Sequence, residues 1–281
     1  MEIINGKELA KKIREELKEE VTELKKEGIN PKLAVIMVGN DKASATYVRN
    51  KSRACDEIGI EFEEFLLEDT ITQKELIDLI KELDNRKDIN GILLQSPIPE
   101  NLDIREAFNT IDSTKDVDGF NPINVGKLSI GEDSFISCTP LGVTKMLEAY
   151  NIPVEGKRAV IIGRSNIVGK PLIQCMLNKN ATVTVCHSRT KNLGEITKQA
   201  DILIAAIGKP KFVTEDMVKD GAVVIDVGIN RNEEGKLVGD VDFENVSKKA
   251  SYITPVPGGV GPMTVAMLMN NVVKAAKLHK I

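Results

Sequence analysis

Apolar residues follow two spacings along this chain. In the segment 8–26 they recur every three or four positions among charged residues, which predicts an amphipathic helix. Elsewhere they form short continuous runs, such as 33–38, of the kind found in buried parallel strands. The predicted strands are 33–38, 62–67, 91–95, 159–162, 182–186, 202–207 and 222–227. The predicted helices are 8–26, 43–58, 74–83, 139–150, 168–177, 193–200 and 264–278.

Strands and helices therefore alternate twice, separated by a loop-rich stretch from 112 to 138. This alternation is typical of α/β folds with parallel sheets. Thr139 followed by Pro140 begins a new helix, since threonine is a good N-cap and proline suits the first helical turn. We therefore predict two α/β domains, 1–139 and 140–281, the second a doubly wound, Rossmann-like sheet.

Composition narrows the class of partner. The 281 residues include 38 Lys and Arg against 42 Asp and Glu, a net charge of −4. Aromatic residues make up 4% and tryptophan is absent, so neither phosphate-backbone nor base-stacking recognition of nucleic acid is expected. The N-terminus lacks the apolar stretch of a secretory signal, and apolar runs stay far below the roughly 20 residues of a membrane span. We expect a cytoplasmic protein without a membrane partner.

Cysteine and histidine are scarce. The four cysteines, Cys55, Cys138, Cys175 and Cys186, lie far apart and form no CxxC pair, so reduced thiols are expected rather than disulfides or a zinc site. With only two histidines, no metal centre or histidine triad is expected. Acid–base chemistry is therefore expected to use lysine, tyrosine or carboxylates.

The segment 163–171 follows a predicted strand and enters a helix, the arrangement that binds a dinucleotide pyrophosphate. Gly163, Arg164 and Ser165 begin it, with Ser165 in place of the second glycine of G-x-G-x-x-G and Gly169 one residue late. Because the spacing is imperfect, an ordinary tight turn between strand and helix is the alternative.

The next strand ends without a carboxylate, the residue that holds the ribose 2′-hydroxyl in NAD enzymes. It carries Ser188 and Arg189 instead, and together with Arg164 these side chains suit a 2′-phosphate. We predict NADP as the cofactor; the alternative is that both arginines are solvated loop charges. Gly208, Gly228 and Ile229 end two later strands and are predicted to approach the same ligand.

The first half carries candidate catalytic residues. Tyr47 and Lys51 lie four residues apart on one helix face, and Gln95 ends a strand just before a proline-rich turn. A surface Tyr/Lys pair is the alternative. The loop 115–122 holds two carboxylates, Asp116 and Asp118, and fails as a calcium loop, so one of them is predicted to bind substrate.

The stretch TPVPGGVGPMT (254–264) has three prolines and three glycines, typical of a rigid loop that lines a ligand, although a structural turn is the alternative. With VGNDKASATYVRNKSRACDEIGI (38–60), GILLQSPIP (91–99), KDVDGFNPINVGKL (115–128) and GRSNIVGKP (163–171), it closely resembles the methylenetetrahydrofolate dehydrogenase/methenyltetrahydrofolate cyclohydrolase family. Ser96 and Ser137 depart from the family pattern, where an apolar residue and a proline are expected.

The resemblance implies a tetrahydrofolate-binding catalytic domain and an NADP-binding domain across a cleft, with the last helix packing back on the first domain. It implies oxidation of 5,10-methylenetetrahydrofolate to the methenyl compound and hydrolysis to 10-formyltetrahydrofolate. Lys51 would be the acid–base group, its pKa lowered by burial, with Gln95 its hydrogen-bond partner. The remaining implied residues are Tyr47 stacking on the folate, Asp118 on the pterin edge, and Pro257, Gly258 and Gly259 lining the substrate. Family members form homodimers through the dinucleotide domain.

Three other functions share features with this sequence. A dehydrogenase without cyclohydrolase activity would share the fold, and an NADP-binding redox sensor would need the 163–171 turn alone. An amino-acid dehydrogenase would share the architecture but not the 254–264 loop. Lys51, Gln95 and Asp118 together favour the bifunctional enzyme.

Overall fold

The computed structural model describes residues 1–279, which divide into two compact units. The three-stranded unit contains Lys11–Cys138 and the residues from Val265 onward. The six-stranded unit contains Met1–Ala10 and Thr139–Thr264. The sequence predicts domains 1–139 and 140–281, with the last helix packing back on the first domain. In the structure the residues from Val265 onward lie in the three-stranded unit, and the first ten residues lie in the six-stranded unit.

The three-stranded unit is built on a parallel sheet in the order β3–β2–β4. Its strands are β2 (Lys32–Val38), β3 (Glu61–Leu67) and β4 (Gly91–Leu94). β2 lies in the centre, and the side chains of 33–38 are buried, which explains its continuous apolar run. Because β2 has neighbours on both sides, the carboxyl ends of β2 and β4 form a switch point where ligands bind in open α/β sheets.

Helices of this unit begin at capped positions. In α2 (Lys42–Ile58) the Asp41 carboxylate accepts from the Ser44 N–H at 2.7 Å, and in α3 (Gln73–Asn85) Thr72 and Glu75 form a capping box. The unit also contains most of α1 (Gly6–Lys26), α4 (Ile104–Thr110) and α5 (Pro122–Ser129). Neither α4 nor α5 was expected from the sequence, because each is too short for a clear helical period.

The six-stranded unit has an all-parallel sheet in the order β1–β11–β8–β7–β5–β6. Its strands are β1 (Glu2–Ile3), β5 (Arg158–Ile162), β6 (Thr182–Cys186), β7 (Ile202–Ala205), β8 (Val223–Asp226) and β11 (Tyr252–Ile253). β1 joins the edge by pairing with β11, which places the first residues of the chain in this unit. The strand order reverses at β5, the switch point of a doubly wound sheet.

The remaining elements connect these strands. They are α6 (Cys138–Ala149), α7 (Gly169–Leu177), α8 (Leu193–Thr197), a hairpin of β9 (Asn230–Arg231) and β10 (Leu237–Val238), α9 (Phe243–Val246) and α10 (Val260–Leu278). The predicted strands 202–207 and 222–227 are shorter in the structure, ending at Ala205 and Asp226, because the residues that follow form turns. Within residues 1–279, no helix has the length and apolar character needed to cross a membrane.

Candidate functional site

Lys51 and Gln95 meet at the carboxyl end of the three-stranded sheet. Lys51 lies on α2 directly after β2, and Gln95 follows β4. The Lys51 Nζ donates to Gln95 Oε1 at 2.8 Å. The Gln95 Nε2 donates to the Ser96 carbonyl at 2.6 Å, which turns the amide oxygen toward the lysine. The buried Gln95 therefore presents a fixed acceptor to a half-buried amine.

Asp118 joins this pair through the register of its loop. Ile92 of β4 pairs in parallel with Asp116, two residues before Asp118, so this loop lies beside the same strand that Gln95 follows. Burial raises the pKa of the Asp118 carboxyl, opposed by the nearby charge of Lys51. Conversely, burial lowers the pKa of Lys51, opposed chiefly by the negative charge of Asp118. Burial disfavours the charged form of each group, while each charge favours the charged form of the other, so the two groups titrate as a coupled pair.

A thiol completes what we call the lysine cluster: Lys51, Gln95, Asp118 and Cys138. Burial raises the pKa of the Cys138 thiol well above its usual range, so it stays protonated and acts as a donor. Its Sγ lies 3.6 Å from Asp118 Oδ1 and 3.5 Å from the Val117 carbonyl oxygen. The sequence predicts Cys138 only as one of four reduced thiols, because spacing along the chain carries no sign of this contact.

The two carboxylates of the loop 115–122 have different environments. The buried Asp116 accepts from the N–H groups of Gly119 and Asn121, at 3.1 and 2.8 Å, and from Asn124 Nδ2 at 3.0 Å. These bonds shape the loop and occupy its oxygens. Within residues 1–279, the Asp118 carboxyl contacts only the cluster partners just described, so it has more unused acceptor capacity than Asp116.

Lys115 is a further structural residue of the same loop. It is buried, and its Nζ donates to the carbonyls of Asp84 and Arg86, both at 2.7 Å. Those carbonyls lie at the C-terminal end of α3, where a cation is favourable for the helix dipole. The loop is thereby anchored on one side by Lys115 and shaped by Asp116, leaving Asp118 in the cluster.

An amide from the last helix also holds this region. Asn271 is buried on α10, and its Nδ2 donates to the carbonyl of Val117 at 2.9 Å and of Ile136 at 3.1 Å. It therefore ties together the two backbone segments that lead into the cluster residues Asp118 and Cys138. Nothing in the local pattern around Asn271 indicated this, because the contact spans more than 130 residues.

Tyr47 and the 254–264 loop are the other residues predicted to bind substrate. Tyr47 lies one turn before Lys51 on α2 and is 46% exposed, so its ring is free to pack on a flat ligand. Pro257 is exposed, Gly258 is half-buried and Gly259 is buried in the six-stranded unit. The Gly258 carbonyl accepts from the Lys7 N–H at 2.9 Å, so this loop also holds the start of α1.

The turn after β5 has the close backbone packing of a phosphate site. Gly163 has φ +123°, and a Cβ there would lie 2.2 Å from the Ala206 carbonyl oxygen. Ser165 Oγ accepts from the N–H groups of Val168 and Gly169, both at 3.2 Å. The serine that replaces the second glycine thus caps α7. Arg164 and Ser165 are both exposed beside this turn.

The turn after β6 is closed by its own polar groups. The His187 N–H donates to Thr190 Oγ1 at 2.9 Å, and the Arg189 N–H donates to His187 Nδ1 at 3.2 Å. Ser188 and Arg189 remain exposed. Within residues 1–279 neither Arg164 nor Arg189 has an acidic partner, so both guanidinium groups are available for an anion.

The turns after β7 and β8 contain Gly208, Gly228 and Ile229, and the N–H groups of the two glycines donate to two buried carboxylates. Asp240 accepts from Gly208 N and Asp226 accepts from Gly228 N, at 3.0 and 2.9 Å. Sequence reading missed both aspartates. The glycine–aspartate pair at 239–240 after a hairpin was the available signal.

Metal chemistry has no obvious site in the described part of the chain: no group of three or more His, Cys, Asp or Glu side chains is placed to hold an ion. The four cysteines are free and buried.

Comparison with known proteins covers nearly the whole chain. Residues 4–118 match the tetrahydrofolate dehydrogenase/cyclohydrolase catalytic domain, and residues 137–280 match the NAD(P)-binding domain of the same family. The bifunctional protein FolD of Acetivibrio thermocellus is 58% identical over 277 residues, covering 99% of this chain and 97% of its own.

Two solved structures extend the comparison. The bifunctional FolD methylenetetrahydrofolate dehydrogenase/cyclohydrolase of Campylobacter jejuni has a TM-score of 0.98 at 55% identity, covering 99% of both chains. The Trypanosoma brucei enzyme, complexed with NADP cofactor and inhibitor, has a TM-score of 0.94 at 38% identity, covering 98% of this chain and 97% of its own.

Proposed function

The chain belongs to the tetrahydrofolate dehydrogenase/cyclohydrolase family, and from that premise we propose which of its residues carry the two activities. The protein oxidises 5,10-methylenetetrahydrofolate to 5,10-methenyltetrahydrofolate and hydrolyses that product to 10-formyltetrahydrofolate. The observation that carries the residue assignment is the lysine cluster, in which an amine of lowered pKa lies 2.8 Å from a fixed amide oxygen.

Lys51 is assigned the proton transfers of the hydrolytic step. Water adds to the methenyl carbon and loses one proton, which gives a neutral carbinolamine. N5 then gains a proton and its bond to that carbon breaks, while the carbinol oxygen loses its remaining proton and becomes the carbonyl of the formyl group on N10. A lysine with an ordinary pKa of about 10.4 would hold its proton throughout. Because burial lowers the pKa of Lys51, its Nζ can accept and return a proton. Gln95 keeps the amine in place.

Asp118 and Tyr47 are assigned to folate binding. The half-buried carboxylate of Asp118 is free to accept hydrogen bonds from the amide and amino edge of the pterin, while Asp116 is committed to its loop. Tyr47 is assigned to stacking on the ring. For the 254–264 loop the family resemblance supports the same assignment, with Pro257, Gly258 and Gly259 lining the substrate.

The turns of the six-stranded unit fit a dinucleotide. The glycine at 163 allows this turn to pack against the Ala206 carbonyl, and the turn leads into the N-terminus of α7, where backbone N–H groups can bind a pyrophosphate. The cofactor residues are Gly163, Arg164, Ser165, Ser188, Arg189, Gly208, Gly228 and Ile229. When bound, the nicotinamide accepts the hydride that leaves the methylene carbon. Arg164, Ser188 and Arg189 are exposed and lack acidic partners, which favours NADP because they can bind its 2′-phosphate.

We infer that the enzyme acts as a homodimer in the cytoplasm. The family resemblance supports a dimer through the dinucleotide domain, and β6 lies at the edge of the six-stranded sheet with β5 as its neighbour. An open strand edge of this kind is available for pairing with a second chain. Light scattering at several protein concentrations tests this inference, and a monomer at all of them would contradict it.

One assay tests the proposed function. Starting from methylenetetrahydrofolate and either NADP or NAD, reduced dinucleotide and methenyltetrahydrofolate are followed separately. We expect reduced dinucleotide to form without matching accumulation of the methenyl compound, and a higher kcat/KM with NADP. Stoichiometric methenyl accumulation would indicate a dehydrogenase alone, binding without turnover would indicate a sensor, and equal efficiency with NAD would contradict the role of the arginines.

A further inference from the structure

The turn after β7 is organised by one buried side chain. The Asp240 carboxylate accepts from three consecutive N–H groups, those of Ile207 at 2.7 Å, Gly208 at 3.0 Å and Lys209 at 2.8 Å. A fourth bond comes from Asn230 Nδ2 at 2.9 Å. Asp240 has no exposed surface, so its four bonds all serve the turns that contain Gly208 and Ile229.

The turn after β8 is organised in the same way by Asp226. Its carboxylate accepts from the N–H groups of Gly228, Asp240 and Val241, each at 2.9 Å. The two aspartates are therefore linked, since the backbone of one donates to the side chain of the other. Unpaired buried donors are costly, so three N–H groups sharing one carboxylate leave the turn little freedom to move.

Two glycines make this arrangement reciprocal. A Cβ at Gly228 would lie 2.2 Å from Asp240 Oδ1, and a Cβ at Gly239 would lie 1.8 Å from Asp226 Oδ2. Gly228 follows Asp226 by two residues, and Gly239 directly precedes Asp240. Each aspartate thus packs on the glycine beside its partner. The hairpin of β9 and β10 lies between Gly228 and Gly239 in the sequence and brings these two glycines close together.

We propose that Asp240 and Asp226 are positioning residues for the dinucleotide. The two aspartates fix the turns on which the nicotinamide half of the cofactor binds, and they do not contact the cofactor themselves; this role rests on the proposed function. Binding to turns already in place avoids the free-energy cost of ordering them. Loss of a carboxylate should therefore raise the KM for the dinucleotide much more than it changes kcat at saturation.

The test is Asp240→Asn, which keeps the side-chain shape but replaces one acceptor oxygen with an NH2 group facing backbone donors. We expect the KM for NADP to rise about tenfold or more, the equivalent of ~1.4 kcal/mol, while kcat at saturating NADP changes less than about threefold. The matched control is Asp201→Asn. Asp201 also accepts a backbone N–H, from Arg158 at 2.9 Å, but at the amino ends of β5 and β7.

Asn230→Ala is a second, milder variant, because it removes one of the four hydrogen bonds to Asp240. Its kinetics test the proposal if Asp240→Asn does not fold. Its expected effect is a rise of about threefold in KM. An unchanged KM in the folded variant, or a KM rise matched by the Asp201→Asn control, would overturn the inference. If the wild-type protein shows no dinucleotide-dependent oxidation, the proposed function is wrong. If the wild type turns over normally and the variants have an unchanged KM for NADP, only the positioning role is wrong.

Discussion

The two units bring functional groups to their sheet ends in opposite ways. In the three-stranded unit the chemistry lies in half-buried side chains, Lys51 and Asp118, whose pKa values burial shifts toward neutral forms. In the six-stranded unit the predicted ligand-binding side chains, such as Arg164 and Arg189, are exposed, while two buried carboxylates hold the backbone of the neighbouring turns after β7 and β8. Proton transfer requires groups partly removed from water, whereas anion recognition requires accessible donors on a fixed frame.

Removing the central amine is expected to have the largest effect. Lys51→Met preserves most of the apolar stem and removes the proton-exchanging group. The cyclohydrolase rate should fall by about 10²–10⁴-fold, and hydride transfer should fall less, because that step depends mainly on positioning. The measurement is hydrolysis of methenyltetrahydrofolate alongside the dehydrogenase assay. Lys42→Met on the same helix is the control, and undiminished hydrolysis in Lys51→Met would refute the assignment.

Exposed arginines in the other unit should affect binding and leave proton transfer intact. The double variant Arg164→Ala with Arg189→Ala should raise the KM for NADP by about 10–100-fold, while the KM for NAD changes little. Arg158→Ala, at the amino end of β5, is the matched control. The measurement is steady-state kinetics with both dinucleotides. An equal rise in KM for NAD and NADP would mean that the arginines do not recognise the 2′-phosphate.

The coupling between Asp118 and Lys51 predicts a shift in a pH profile. The negative charge of Asp118 raises the pKa of Lys51 against the effect of burial. Asp118→Asn removes that charge, so the pKa of Lys51 should fall and the acid limb of kcat for hydrolysis should move to lower pH. Asp56→Asn, an exposed carboxylate on α2, should leave the limb in place. A limb that moves to higher pH would contradict the assigned coupling.

The smallest expected effect concerns stability and uses Asp116. Burial raises the pKa of this carboxyl to about 6. A folded-state pKa above the unfolded value near 3.9 gives stability that is complete at low pH and is lost as pH rises through about 6. The free energy of unfolding of wild type relative to Asp116→Asn should therefore be greater at pH 5 than at pH 7.5, by about 1 kcal/mol. Urea unfolding at both pH values measures it, and a constant difference would contradict the raised pKa.

The spacing of apolar residues along the chain predicted most of the longer strands and helices. Runs such as 33–38 and 202–205 are strands in the structure because buried parallel strands are apolar on both faces. Short elements such as α5 and β1 escaped prediction, since they are held by tertiary contacts and too brief for a period. The predicted strand 202–207 is two residues longer than the observed strand, which ends at Ala205. In the structure the Ile207 N–H donates to the Asp240 carboxylate instead of to a neighbouring strand.

The sequence by itself determined the two α/β halves, the family and the candidate residues at strand ends, because periodicity and motif spacing are local properties of the chain. The family resemblance already pointed to Asp118, but only the tertiary structure showed that Asp116 is bound within its loop, and that Cys138, Asn271, Asp226 and Asp240 contact the residues of the predicted sites. Those roles depend on hydrogen bonds between residues distant in sequence and on burial, which sets the pKa values. Neither these long-range hydrogen bonds nor the burial of a side chain can be predicted from a short segment of the sequence.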